Sequence, residues 1–126
     1  MISTLMMVAL GGAIGASLRY LWGIGVLRLT GPAEFPLAIM TANILGSFLM
    51  GVFVVLAAQR GLTHLSPFVM TGLLGGFTTF SAFSLETMTL IERGQMGSAA
   101  LYIGLSVALS VLGLAMGLWL MRSLVA

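Results

Sequence analysis

Gly72-Leu73-Leu74-Gly75-Gly76-Phe77-Thr78-Thr79-Phe80-Ser81-Ala82-Phe83-Ser84 lies inside a stretch that hydropathy alone reads as a membrane span. Its composition is wrong for a plain one. Glycine, threonine, serine and phenylalanine stand where leucine and valine would serve. The Gly75-Gly76 and Thr78-Thr79 pairs predict an interruption of the helix at membrane depth. Hydrocarbon offers no partner to a freed N–H or C=O, so irregular backbone survives there only when buried in protein or lining a wet cavity. Discontinuous helices of this kind build substrate and ion sites in transporters. The function is expected to reside here.

The rest of the chain supplies the setting. Of 126 residues, 60% are apolar and only 6% charged, with a mean hydropathy of +1.17. So few charges cannot cover a soluble domain, and the class is integral membrane protein. Cysteine is absent, which excludes disulfides and leaves the redox compartment unread. All five cations are arginine and the three acids are Glu34, Glu86 and Glu92, a net charge of +2. The arginines form no cluster, so no nucleic-acid partner is expected. The first apolar run has no cation before it and meets Arg19 after it. That is the wrong polarity for a cleaved signal peptide, and the run reads as a retained span.

A span takes about 20 mainly apolar residues. Four fit, at roughly 2–27, 36–58, 67–91 and 97–121. The breaks between them carry Arg28 with Gly31-Pro32, Arg60-Gly61 with His64 and Pro67, and Glu92-Arg93-Gly94. The connections are short, so the expectation is one compact all-α bundle over residues 1–126, without a second domain or tandem repeat. Gly11/Gly15 and Gly113/Gly117 have the small-xxx-small spacing that lets helix backbones approach, and Gly46 and Gly51 add to it in the second span.

Loop arginines set orientation. One side holds Arg60 and Arg122; the other holds Arg28 and Arg93, plus Arg19 if it reaches outward. So small a bias permits insertion both ways up, and hence an antiparallel homodimer. The alternative is a single orientation set by a partner or by loop detail. Four helices in 13.2 kDa enclose too little for a pore with a shell around it, so transport would require an oligomer.

Several polar residues sit where lipid should be. Asn43 and Ser47 form a polar strip on the second span, and Asn43 must find an interhelical hydrogen bond or water. For Arg19 two readings stand. It snorkels to an interface beside Tyr20 and Trp22, or it marks the mouth of an anion pathway. Glu86, the only acid within a span, is structural near the break, protonated, or a proton carrier. Tyr102, Ser106 and Ser110 fall four residues apart and share a helix face. They bond back to their own helix or form a polar track. Phe80 and Phe83 either pack ordinarily or turn their electropositive ring edges toward a narrow path. Such contacts bind an anion yet release it, the compromise that conduction needs. The half-helix beginning near Ser81 adds its positive dipole end.

Together these residues resemble the small four-span fluoride channels of the Fluc (CrcB) family. The resemblance covers essentially the whole chain. It rests on Gly11-Gly12-x-x-Gly15-x-x-x-Arg19, on Asn43-x-x-Gly46, and above all on Gly72-x-x-Gly75-Gly76-x-Thr78-Thr79-Phe80-Ser81-x-Phe83-Ser84 followed by Glu86. It implies an antiparallel, dual-topology dimer in the inner membrane, with two fluoride pathways built from both subunits. It implies that Phe80 and Phe83 line the pore with Asn43. Thr79, Ser81, Ser84, Ser106 and Ser110 would match or adjoin the polar track, and Arg19 would line the vestibule. The carbonyls of Gly75 and Thr78 from both subunits would hold a sodium ion on the dimer axis. Ala82 replaces the threonine that relatives often carry, which thins the hydroxyl supply. The family role is passive release of cytoplasmic fluoride.

Two rivals belong to other classes. A small multidrug exporter has the same four-span dimeric design but works through a carboxylate in its first span, and none stands there. A structural membrane subunit has no use for a glycine-threonine-phenylalanine break. Enzyme chemistry is not expected: the single histidine lies in a loop, with no nucleophile–base pair or metal-ligand cluster beside it.

Overall fold

The computed structural model describes residues 1–32 and 35–125; Glu34, in the first connection, lies outside the described residues. Four long helical segments arise from the four apolar runs, because in hydrocarbon the helix satisfies every backbone group within the segment. They are α1 (Ile2–Thr30), α2 (Leu37–Arg60), an interrupted third span from Thr63 to Glu92, and α5 (Met96–Val125). Each is long and apolar enough to cross a membrane, and the protein is a multi-pass membrane protein. The third span is composite. Residues Pro67–Leu74 wind as a π-helix, α3 (Gly75–Phe77) follows, and α4 (Phe80–Glu92) resumes after the break. Among the described residues there is no strand.

Turn chemistry closes the ends as anticipated. Gly61 takes the left-handed conformation at φ 68 after α2, and the Leu62 N–H reaches back to the Ala57 carbonyl at 2.9 Å. Gly94, at φ 78, does the same after α4, with Gln95 N–H donating to the Leu90 carbonyl at 2.9 Å. A side chain at either position would be strained.

The bundle is built from two tight pairs: α1 lies along Pro67–Phe77, and α2 along α5. In a bilayer the lipid is as apolar as leucine, so close packing rather than hydrophobicity joins helices. Glycines make both contacts. A Cβ added at Gly11 would meet the Phe68 carbonyl, and one at Gly15 the Leu73 carbonyl. A Cβ at Gly51 would meet the Leu114 carbonyl, and one at Gly117 the Phe48 carbonyl. Gly113 approaches α2 less closely, 3.3 Å from the Ile44 carbonyl to the same virtual atom. Around the far end of α4, Met40, Leu90, Ala99 and Tyr102 form a small buried core flanked by Phe35 and Phe83.

The interruption is real, but it falls at one of the two expected places. Gly75 is helical, at φ −63 and ψ −35. Thr78 (φ −92, ψ 154) and Thr79 (φ −154, ψ 122) are extended. The glycines serve packing instead. A Cβ at Gly76 would sit 2.8 Å from the Gly12 carbonyl. The break belongs to the β-branched threonines, which lose little on leaving a helix. The second half-helix starts at Phe80 with Thr79 as its cap, one residue ahead of the expected Ser81.

Candidate functional site

Unwinding Thr78 and Thr79 exposes backbone groups, and α2 answers them. Asn43 grips Thr79 on both sides: the Thr79 N–H donates to Asn43 Oδ1 at 2.8 Å, and Asn43 Nδ2 donates to the Thr79 carbonyl at 3.2 Å. The interhelical reading of Asn43 therefore holds, and this amide fixes the break. Thr79 then caps α4, its Oγ1 accepting from the Ala82 N–H at 3.2 Å. Gly46, one turn beyond Asn43, leaves room for the Thr78 methyl, which a Cβ there would strike.

Beside this clamp is a cavity of about 330 Å³. Asn43 and Ser47 line it from α2, Thr78, Thr79, Phe80 and Phe83 from the break and α4, and Ser106, Val107, Ser110 and Val111 from α5. No charged side chain is among them. The anion-attracting features are all dipolar: the start of α4, an amide, hydroxyls and ring edges.

The aromatic residues form a ladder out of the core. Tyr102, fully buried, meets Phe35 edge-on at 5.6 Å and 89° and Phe83 at 5.2 Å and 33°. Phe83 meets Phe80 at 5.4 Å and 44°. Phe80 ends the series 77% exposed, at the open side of the cavity.

Hydroxyls divide sharply. Ser84 donates to the Phe80 carbonyl of its own helix at 3.1 Å, and Ser81 pairs with Thr79 Oγ1 at 3.2 Å; neither lines the cavity. Ser106 is 5% exposed, and its hydroxyl, like that of Tyr102, is buried without a partner among the described residues. Tyr102 itself lies behind Phe83 rather than on the cavity wall. Val107 and Val111, unremarkable in the sequence, complete the α5 wall.

Arg19 is found at the break and not at this cavity. Its Nε donates to the Gly76 carbonyl at 3.0 Å, from a half-buried position. Trp22 does not sit in an aromatic belt alone: its Nε1 donates to Thr41 Oγ1 at 3.0 Å and its ring meets Phe77 edge-on at 6.0 Å. Glu86 is half-buried and makes no hydrogen bond or ion pair with a described residue. No group of three or more His, Cys, Asp or Glu side chains converges among the described residues. A cation at Gly75 and Thr78 would have to be held by backbone oxygen. The break suits that, because the Thr79 N–H, which an unbroken helix would bring to the Gly75 carbonyl, goes to Asn43, and the Ala82 N–H, due to the Thr78 carbonyl, goes to Thr79 Oγ1.

The family model for CrcB-like protein, Camphor Resistance (CrcB), matches residues 6–118. The chain belongs to the CrcB family. It is 72% identical over 120 residues to a fluoride-specific ion channel FluC of Roseobacter denitrificans, covering 94% of this chain and 95% of that one. A protein of the same name from Ruegeria sp. is 68% identical over 122 residues, 97% of each chain. Another from Paracoccus denitrificans is 50% identical over 125 residues, 98% of each. Within this CrcB-family chain, the clamp, the ring ladder and the unpartnered serine all converge on the break.

Proposed function

We propose that the chain is a fluoride-selective ion channel that lets fluoride leave the cytoplasm passively across the inner membrane. The carrying observation is the cavity beside the break, where broken backbone, Asn43, Phe80, Phe83, Ser106 and Ser110 meet without a fixed charge. Fluoride is small and strongly hydrated. Close hydroxyl and amide donors with ring edges replace part of its water, and the lack of a charged side chain on the cavity wall lets it go again. Nothing in the arrangement suggests a reaction, and the relatives named above are channels.

The working form is an antiparallel dimer with two such pathways. Two features support it. The loop arginines are nearly balanced, and Phe80 projects from an open-sided cavity that a second copy would close. Gly75 and Thr78 of both copies would hold a sodium ion through their released carbonyls. That ion would supply a fixed positive charge that ties the two breaks together. Arg19 would stand near the aqueous approach, and Glu86, Ser81 and Ser84 at the margins of the path.

The test is fluoride efflux from liposomes containing purified protein. Flux far faster than that of chloride is expected, and loss of it in Phe80→Ile or Phe83→Ile with dimer assembly intact. Unchanged flux in both variants would remove the ring-edge mechanism; equal chloride flux would remove fluoride selectivity. For sodium, density coordinated by the Gly75 and Thr78 carbonyl oxygens at the centre of a crystallised dimer is the expected result, and nothing near them would remove the sodium reading.

A further inference from the structure

α1 presents Gly11, Gly15, Arg19 and Trp22 in succession to the first half of the third span. The two glycines make backbone contact, and the two larger residues take hold where the helix ends. In an unbroken helix the Gly76 carbonyl would accept from the Phe80 N–H. The break takes that donor away, and Arg19 Nε stands in its place at 3.0 Å. The guanidinium also brings positive charge to the C-terminal end of a helical segment, where the dipole favours it. One turn along α1, Trp22 braces Phe77 edge-on while its Nε1 joins Thr41 on α2. Residues 76 and 77 are thus held from one face of α1, as Thr79 is held by Asn43 from α2.

We propose that Arg19 is a positioning residue. Its Nε–H substitutes for the missing helix donor on Gly76, which fixes where α3 stops and α4 restarts. The Gly75 and Thr78 carbonyls lose their helix donors separately, to Asn43 and to the Thr79 cap. Anion attraction by its charge is a different role, and chemistry separates the two. Glutamine carries its amide nitrogen the same number of bonds from Cα as the arginine Nε. Arg19→Gln therefore keeps the donor and discards the charge, whereas Arg19→Met discards both.

The flux arm of the test rests on the channel reading; the spectroscopic arm does not. Gly76-Phe77 is the only Gly-Phe dipeptide in the chain. Labelling with carbonyl-¹³C glycine and ¹⁵N phenylalanine therefore isolates the Gly76 carbonyl by solid-state NMR in liposomes. Arg19→Gln is expected to keep that resonance and to lose clearly less maximal fluoride flux than Arg19→Met, the missing charge acting on half-saturating fluoride alone. Arg19→Met is expected to move the resonance upfield and lower maximal flux by ~10-fold, the weight of a charge-assisted bond, with half-saturating fluoride no further changed than in Arg19→Gln. Two results would overturn the proposal: a Gly76 resonance unmoved in Arg19→Met, or equal losses in both variants expressed as a raised half-saturating fluoride. Should Arg19→Met fail to assemble while Arg19→Gln keeps resonance and flux, the donor is shown to be what matters. Wild-type protein passing no fluoride would refute the channel reading and leave the Gly76 resonance to decide the clasp.

Discussion

The two halves of the third span are opposites. The half before the break is pressed against α1, with Gly72, Leu74 and Phe77 buried and backbone touching backbone through Gly11 and Gly15. The half after it buries only Leu90, and leaves Phe80, Leu85 and Met88 exposed at 77%, 66% and 50%. One half is anchored and the other presented. A split helix allows this division, since a continuous rod would transmit the rigidity of its anchored end to the end that, in the proposed channel, meets an ion and a second copy.

The anchored half should break hardest. Gly15→Leu would drive a side chain into the Leu73 carbonyl, and backbone cannot step aside as a side chain can. Overpacking of this kind costs about 1–3 kcal/mol or more, and little monodisperse protein is expected on size exclusion. Gly12 is the internal control. A Cβ there meets nothing within 4 Å, so Gly12→Ala should purify as wild type. On the presented half, Leu85→Ala should shift the melting curve by no more than ~0.5 kcal/mol. If Leu85→Ala is as damaging as Gly15→Leu, the two halves are not unlike in the way described.

The joint between them comes next. Asn43→Leu strips partners from both the N–H and the C=O of Thr79. Each buried unmet group costs about 1–3 kcal/mol. A lower melting temperature and a flux loss of at least ~10-fold are expected together. A variant that loses flux while melting as wild type would make Asn43 a pore group alone.

Much of this contrast is legible in the residues, and the rest is not for definite reasons. Apolar run length gives the four spans, and glycine spacing marks close helix contact without saying which helices meet. The threonines and glycines in the third span announce a break. Which pair yields depends on where α1 lies: Gly76 faces the Gly12 carbonyl and is worth more as a contact than as a hinge. The Arg19 bond to Gly76 spans 57 positions, and nothing in a one-dimensional reading separates it from snorkelling. The π winding of Pro67–Leu74 likewise has no signature in its composition.

Within the presented half, Phe83 and Phe80 should separate stability from conduction. Phe83 stacks on Tyr102, so Phe83→Ile should cost about 0.5–1.5 kcal/mol as well as flux. Phe80 is mostly exposed and its ring contact among the described residues is with Phe83, so Phe80→Ile should change flux while leaving the melting curve within ~0.5 kcal/mol of wild type. Equal destabilisation by both would mean that Phe80 is covered in the assembled protein to the same extent as Phe83.

The smallest effects come from two serines of identical chemistry in unlike settings. Ser84 is exposed and its hydroxyl is already spent on the Phe80 carbonyl. Ser84→Ala should leave stability within ~0.5 kcal/mol and flux unchanged. Ser106 is buried, lines the cavity, and has no partner for its hydroxyl among the described residues. A buried polar group without a partner costs about 1–3 kcal/mol, so Ser106→Ala should raise the melting temperature or leave it level. The same hydroxyl is free to donate to a passing ion, so flux should fall, by a few-fold. Native sequences seldom retain a destabilising buried hydroxyl without use for it. A Ser106→Ala protein that melts lower and conducts as well as wild type would show that the hydroxyl serves the fold, and would move the polar wall of the pathway off α5.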